Sequence, residues 1–132
     1  MATPLCPYFG SCGGCAFQHV DYAVQLGQKK NTLSHAIRFQ DISVFSDEPY
    51  GYRERMDFIV EKGTIGLRKK GKWDSLVDVN ACVISNSTIN SLLKEVREHF
   101  ALKLPILNQK NALTYVITAP ECAIRLSPIT QS

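Results

Sequence analysis

Cys6, Cys12 and Cys15 fall within ten residues, in the run Cys6-Pro7-Tyr8-Phe9-Gly10-Ser11-Cys12-Gly13-Gly14-Cys15, and Cys82 offers a fourth thiolate from a distant position. Three local sulfurs and one remote sulfur make a complete tetrahedral ligand set. Gly13 and Gly14 take side chains away from the tightest part of the run, so the backbone can curl around an inorganic core and point N–H groups at its sulfurs. That pattern suits a [4Fe–4S] cluster. Zinc accepts the same four thiolates, but structural zinc sites more often draw on two short two-cysteine knuckles. His19, close to Cys15, is a nearby polar partner or a rival zinc ligand to Cys82. Buried cysteines also act as small hydrophobes, a role open to Cys82 between Ala81 and Val83, and Cys122 belongs to no motif. A nucleophilic role would need a base or a cationic setting that spacing does not reveal.

The elements that must position these thiols can be read along the chain. Residues 1–20, rich in Cys, Gly and Pro, follow neither hydrophobic period and form a loop whose shape a bound metal would fix. A helix is expected over residues 21–39, with Asp21 as N-cap and Leu26, Leu33, Ala36 and Ile37 on a core-facing stripe. Residues 42–45 are a short strand candidate. From residue 52 the pattern is antiparallel sheet. Tyr52, Glu54, Met56, Phe58 and Val60 alternate with Arg53, Arg55, Asp57 and Ile59, with Glu54 out of place on the apolar side. Turns at Lys62-Gly63 and Lys70-Gly71-Lys72 then lead into strands over 64–69 and 73–79. Ser87 is expected to cap a second helix reaching about residue 102, with Ile89, Leu92, Leu93, Val96 and Phe100 as its stripe and Pro105 beyond it. A last hairpin around Pro120-Glu121 joins strands over 112–119 and 122–126. The fold class is therefore α+β: a small Cys-rich iron–sulfur lobe followed by a mostly antiparallel sheet with two helices. The division is residues 1–20 for the cluster loop and 21–132 for the α+β domain.

The chain has 132 residues, 45% hydrophobic and 20% charged, which fits one ordinary domain with its own core and excludes a large two-domain enzyme. Its longest apolar run, residues 81–84, is far short of the roughly 20 residues a membrane helix needs, and the start resembles no signal peptide. A cytoplasmic, monomeric protein without membrane contact is expected. Five cysteines, an odd number, in a reducing compartment point to metal or catalysis rather than a disulfide framework. The net charge of +3 is concentrated: residues 53–72 hold seven basic and three acidic groups, whereas the rest of the chain carries no excess of positive charge. Such a stretch is either a phosphate-binding stripe or a lysine-protected sheet edge. No glycine-rich nucleotide loop occurs, and strands do not alternate regularly with helices, so no doubly wound cofactor pocket is encoded.

Four segments in this order, Cys6 to His19, Tyr52-Arg53-Glu54-Arg55-Met56-Asp57-Phe58, residues 65–73 and Val77-Asp78-Val79-Asn80-Ala81-Cys82, resemble the S-adenosylmethionine-dependent RNA 5-methyluridine (uracil-C5) methyltransferases of the iron–sulfur type, such as those acting on 23S rRNA. The resemblance covers the N-terminal and central part of that family. It implies that Cys6, Cys12, Cys15 and Cys82 hold a [4Fe–4S] cluster and that the following sheet belongs to the family's central, RNA-recognising domain, with an incomplete C-terminal end. It also implies that the catalytic cysteine, the general base and the S-adenosylmethionine pocket lie in a Rossmann-like domain missing here, so that this chain alone is inactive and lends no catalytic residue. Arg53, Arg55, Arg68, Lys69, Lys70 and Lys72 are the candidate RNA contacts, with Tyr52 and Trp73 as neighbouring aromatics that are either stacking plates or core. Ribosomal RNA is expected over transfer RNA. A stand-alone zinc-stapled RNA-binding module and a small iron–sulfur electron carrier are the rival readings.

Overall fold

A computed structural model describes residues 1–61, 63–101, 113–118 and 123–128. Among these residues seven elements follow one another: α1 (Tyr22–Ile37), β1 (Arg55–Glu61), β2 (Thr64–Lys69), β3 (Lys72–Asp78), α2 (Ser87–Ala101), β4 (Leu113–Thr118) and β5 (Ala123–Pro128). The strands form one sheet in the order β3-β2-β1-β4-β5, every neighbour antiparallel. Lys62, Pro105, Pro120, Glu121 and Cys122 lie outside the described residues.

Alternation along β1 sorts its side chains cleanly. Met56, Phe58 and Val60 are buried while Arg55 and Asp57 are exposed, as the period-two pattern predicts. The register pairs Val60 with Ile65 and Leu67 with Val77, extending the apolar face across β2 and β3. Ile89, Leu93 and Val96 of α2 complete the core with Met56, Phe58, Val60, Ile65 and Val79. Phe58, Ile89 and Leu93 are fully buried. A polar clamp closes the end of this layer: the Arg97 guanidinium of α2 donates to the carbonyls of Val79 and Ile65 and to the Asp78 carboxylate, while Ile65 N–H donates to Asp78 Oδ1.

Several expectations need correction. The first sheet strand begins at Arg55 rather than at residue 52, which removes the Glu54 misfit: Glu54 is an exposed loop residue. The 52–54 segment is held instead by the loop before α2, where Arg53 N–H donates to Ile84 O and Asn86 N–H donates to Arg53 O. The cap of α2 is Asn86, whose Oδ1 accepts from Ile89 N–H, one residue earlier than the expected Ser87. Asp21 stands at the N-cap of α1 without a side-chain cap bond; Gln25 Nε2 donates back to the carbonyls of Phe17 and Val20 there. Residues 42–45 form no strand. The expected apolar stripe of α1 exists in sequence but is not core, for no residue of α1 is buried and Leu33 and Ile37 are exposed.

Candidate metal and RNA site

The cysteine loop is a chain of tight turns laid against β2. Phe9 N–H donates to Cys6 O, and the N–H groups of Ser11 and Cys12 both donate to Tyr8 O, with Gly10 at φ 92° between them, a conformation that favours glycine. Cys12 then bridges to Lys69, Gly13 N–H donates to Arg68 O at 2.9 Å, and Lys70 N–H donates to Ser11 O at 2.7 Å. A Cβ on Gly13 would lie 3.2 Å from Arg68 O, so the missing side chain is what permits this close approach. The loop is thus spliced onto the β2–β3 hairpin through its backbone. Its other anchor is Tyr8, whose hydroxyl accepts from Asn80 N–H at 3.1 Å, two residues before Cys82.

Cys82 itself is fixed from α2. Asn90 Oδ1 accepts from Cys82 N–H at 2.8 Å and Asn90 Nδ2 donates to Cys82 O at 2.9 Å, so one carboxamide grips both backbone groups of the remote cysteine. The result brings together the residues that the spacing had singled out. Cys6, Cys12, Cys15 and Cys82, all free thiols, line one cavity of about 430 Å³. Cys12 and Cys82 are buried and Cys6 and Cys15 half-buried. Burial pushes the Cys12 thiol above its ordinary pKa, against the opposing pull of the Gly14 backbone N–H, and the other three cysteines add to the rise. Among the described residues, no three His, Cys, Asp or Glu side chains close up around the position of a single metal ion.

Two observations bear on whether a sulfide-containing group fits there. Gly14 N–H reaches Cys12 Sγ at 3.4 Å, an amide already directed at one of the candidate sulfurs. Gln18, about nine-tenths buried in the cavity wall, accepts from Cys6 N–H through Oε1 at 3.1 Å, while its Nε2 is a buried donor without a partner. A buried amide left so is costly unless something accepts from it, and thiolate or sulfide sulfur is an acceptor of that kind. The donor set and the orphaned amide would fit a cluster held by Cys6, Cys12, Cys15 and Cys82. His19 does not share the cavity; it is exposed, with its ring 5.5 Å from that of Phe9.

The six basic candidates split into two groups. Arg53, Arg55 and Arg68 line the cysteine cavity, with Arg55 beside Asp57 at 3.5 Å and Arg53 Nη1 near Met56 Sδ at 3.6 Å. Lys69, Lys70 and Lys72 instead stand exposed at the tip of the β2–β3 hairpin. Tyr52 and Trp73 are not core: they are 55% and 82% exposed. Gln18 and Asn90 had no assigned role in the sequence. Their only local signal is an amide beside an expected ligand and an amide within the first turn of a helix, since their partners are decided by long-range contacts.

No family model matches the chain. It is 36% identical over 95 residues to a tRNA (uracil(54)-C(5))-methyltransferase of Pyrococcus abyssi, covering 72% of this chain and 24% of that protein. The Pyrococcus furiosus enzyme of the same name is 38% identical over 71% of this chain and 23% of its own length. An RNA methyltransferase of Aquifex aeolicus is 30% identical over 96% of this chain and 31% of its own length. The crystal structure of the P. abyssi enzyme in complex with S-adenosyl-L-homocysteine superposes with a TM-score of 0.66 over 89% of this chain and 31% of that one, at 23% identity, a likeness of fold. The homologues of this chain are thus tRNA (uracil-54-C5)-methyltransferases and an RNA methyltransferase, and its likeness is to the RNA uracil-C5 methyltransferase family, over about a quarter to a third of those relatives' length.

Proposed function

We propose that this chain is the RNA-recognising, cluster-bearing portion of an S-adenosylmethionine-dependent RNA uracil-C5 methyltransferase. The observation that carries the reading is the cavity itself: four free cysteines, three from one loop and one from beyond β3, surround it together with Arg53, Arg55 and Arg68. Cys6, Cys12, Cys15 and Cys82 would hold a [4Fe–4S] cluster, which joins the loop to the sheet and contributes a fixed charge beside the cationic wall. Uracil C5 methylation needs no net electron transfer, so a structural or positioning role for that group is the simpler one and an electron carrier the weaker reading. Mononuclear zinc is the rival occupant of the same four thiolates, less favoured because structural zinc sites more often draw on two short two-cysteine knuckles. The methyl donor and the reacting uridine belong to the whole enzyme, and this stretch alone is expected to transfer no methyl group.

As to the RNA, the sequence-based preference for 23S rRNA has no support among these relatives. Two of them are named for tRNA, and tRNA is therefore the first substrate to try. The deciding measurement is iron, sulfide and zinc content of anaerobically purified protein, repeated on Cys82→Ser. About four irons and four sulfides per chain, lost on substitution, would bear the reading out. One zinc without sulfide would overturn the cluster and leave a zinc-stapled RNA-binding module.

A further inference from the structure

The β2–β3 hairpin tip combines features that the cavity does not explain. Trp73 is the only tryptophan of the chain, and it is 82% exposed on β3, the edge strand of the sheet. An indole is a large apolar plate that normally contributes to a core or an interface. Next to it in β3 is Lys72, paired with Lys69 across the hairpin, and Lys70 precedes Gly71, which turns at φ 73°. Among the described residues none of these three ammonium groups has an ion-pair partner, and the adjacent Asp74 carboxylate accepts from the Ser75 hydroxyl. Edge protection accounts for lysines but not for an exposed tryptophan, which adds to the hazard lysines relieve. The tip is also held before any partner arrives, because the bonds from Gly13 N–H to Arg68 O and from Lys70 N–H to Ser11 O fasten it to the cysteine loop. A preorganised surface loses less entropy on binding.

We propose that this tip is a contact surface for unpaired RNA, in which Trp73 stacks on one base and Lys69, Lys70 and Lys72 hold the flanking phosphates. This rests on the RNA reading above and adds to it a class of target, single-stranded rather than duplex, and a division of labour. Arg53 and Arg55 face the cavity and carry no part of this contact. An indole face accepts any base that is free of its stack, whereas a base within an A-form helix presents no open face to it. Stacking on an aromatic contributes roughly a 5- to 150-fold gain in affinity per base.

The test uses the metal-loaded chain, a fluorescein-labelled oligouridylate and a blunt RNA duplex of matched length. Because Trp73 is the only tryptophan, its emission reports on this position alone. Oligouridylate should quench that emission and shield it from iodide, and the duplex should do neither. Trp73→Leu should weaken oligouridylate binding within the 5- to 150-fold range, with Trp73→Phe recovering part of the loss and both variants keeping their far-ultraviolet circular dichroism. Replacing Lys69, Lys70 and Lys72 by Ala should reduce the salt dependence, by about 0.7 in log–log slope for each phosphate that is no longer neutralised. Oligouridylate binding that leaves the emission and the Trp73→Leu affinity unchanged would overturn the proposal while sparing the RNA reading. Failure of the wild-type chain to bind both the oligouridylate and tRNA would remove that reading, and the proposal with it.

Discussion

The Asn90 carboxamide is engaged on both sides by the backbone of Cys82, and this defines what its loss would do. Asn90→Leu leaves the N–H of the buried Cys82 without a partner, while its carbonyl keeps the bond from Ser85 N–H, a cost of about 1–3 kcal/mol for such a donor. We expect a lower urea midpoint together with fewer irons per chain, and Asn90→Asp, which retains the acceptor, should fall between. An iron content equal to wild type would show that Cys82 finds its place without this grip. Gln18 allows a finer substitution. Gln18→Glu keeps an oxygen for Cys6 N–H but removes the orphaned donor, so the bound group should lose a stabilising N–H contact and its reduction potential should become more negative. An unchanged potential with full iron would mean that Nε2 points elsewhere. The metal-free protein has its own pH response. Burial raises the Cys12 thiol, so above the ordinary thiol pKa the unfolded chain releases this proton before the folded one does, and stability must fall as pH rises through that window. Cys12→Ala should flatten this alkaline loss.

Two glycines show how an element's setting can reverse the sign of one substitution. Gly66 in β2 faces Val77 of β3 so closely that a Cβ would lie 1.7 Å from the Val77 carbonyl oxygen, and no rotamer relieves a clash of backbone with Cβ. Gly66→Ala must push the strands apart, and we expect it to destabilise by about 1–3 kcal/mol or more. Gly27, in α1, has nothing within 4 Å of its Cβ position, and Gly27→Ala should stabilise by roughly 0.5–1 kcal/mol. Urea titrations of the two variants check both signs at once, and equal shifts would refute the distinction. The same contrast explains which elements were legible. Met56, Phe58 and Val60 alternate and Ile89, Leu93 and Val96 recur at helical spacing, and each pattern meets its partner face in the core. Leu33 and Ile37 repeat just as well, yet both are exposed and no residue of α1 is fully buried, because periodicity states which face is apolar and not how closely another element will reach it. The start of β1 departs from the pattern for a related reason: Tyr52 and Glu54 continue the alternation, but the backbone bonds at Arg53 go to the loop before α2 and end the ladder.

At the scale of the molecule, the four cysteines and the basic hairpin turn out to be one unit. That Cys6, Cys12, Cys15 and Cys82 belong together could be read from Cys-x5-Cys-x2-Cys and one remote thiol, and they do line one cavity. The coupling could not, because it lies in the two backbone hydrogen bonds that pair residues 11–13 with residues 68–70, contacts that no side-chain type announces. It has a thermodynamic consequence. If the metal group orders the loop, and the loop holds the hairpin tip that binds RNA, then each ligand favours the conformation the other requires, and the coupling must be reciprocal. RNA at saturating concentration should slow the loss of iron to a chelator, and removing the metal should weaken RNA affinity, with the equilibrium constants shifted by a common factor in the usual 5- to 150-fold range. Gly13→Ala offers the internal control: its Cβ would press on Arg68 O at 3.2 Å, loosening the splice while leaving every cysteine and every basic residue in place. That variant should retain metal and RNA binding separately and lose the protection each gives the other. Equal rates of iron release with and without RNA in the wild type would mean that the hairpin keeps its shape unaided and that loop and sheet are merely neighbours.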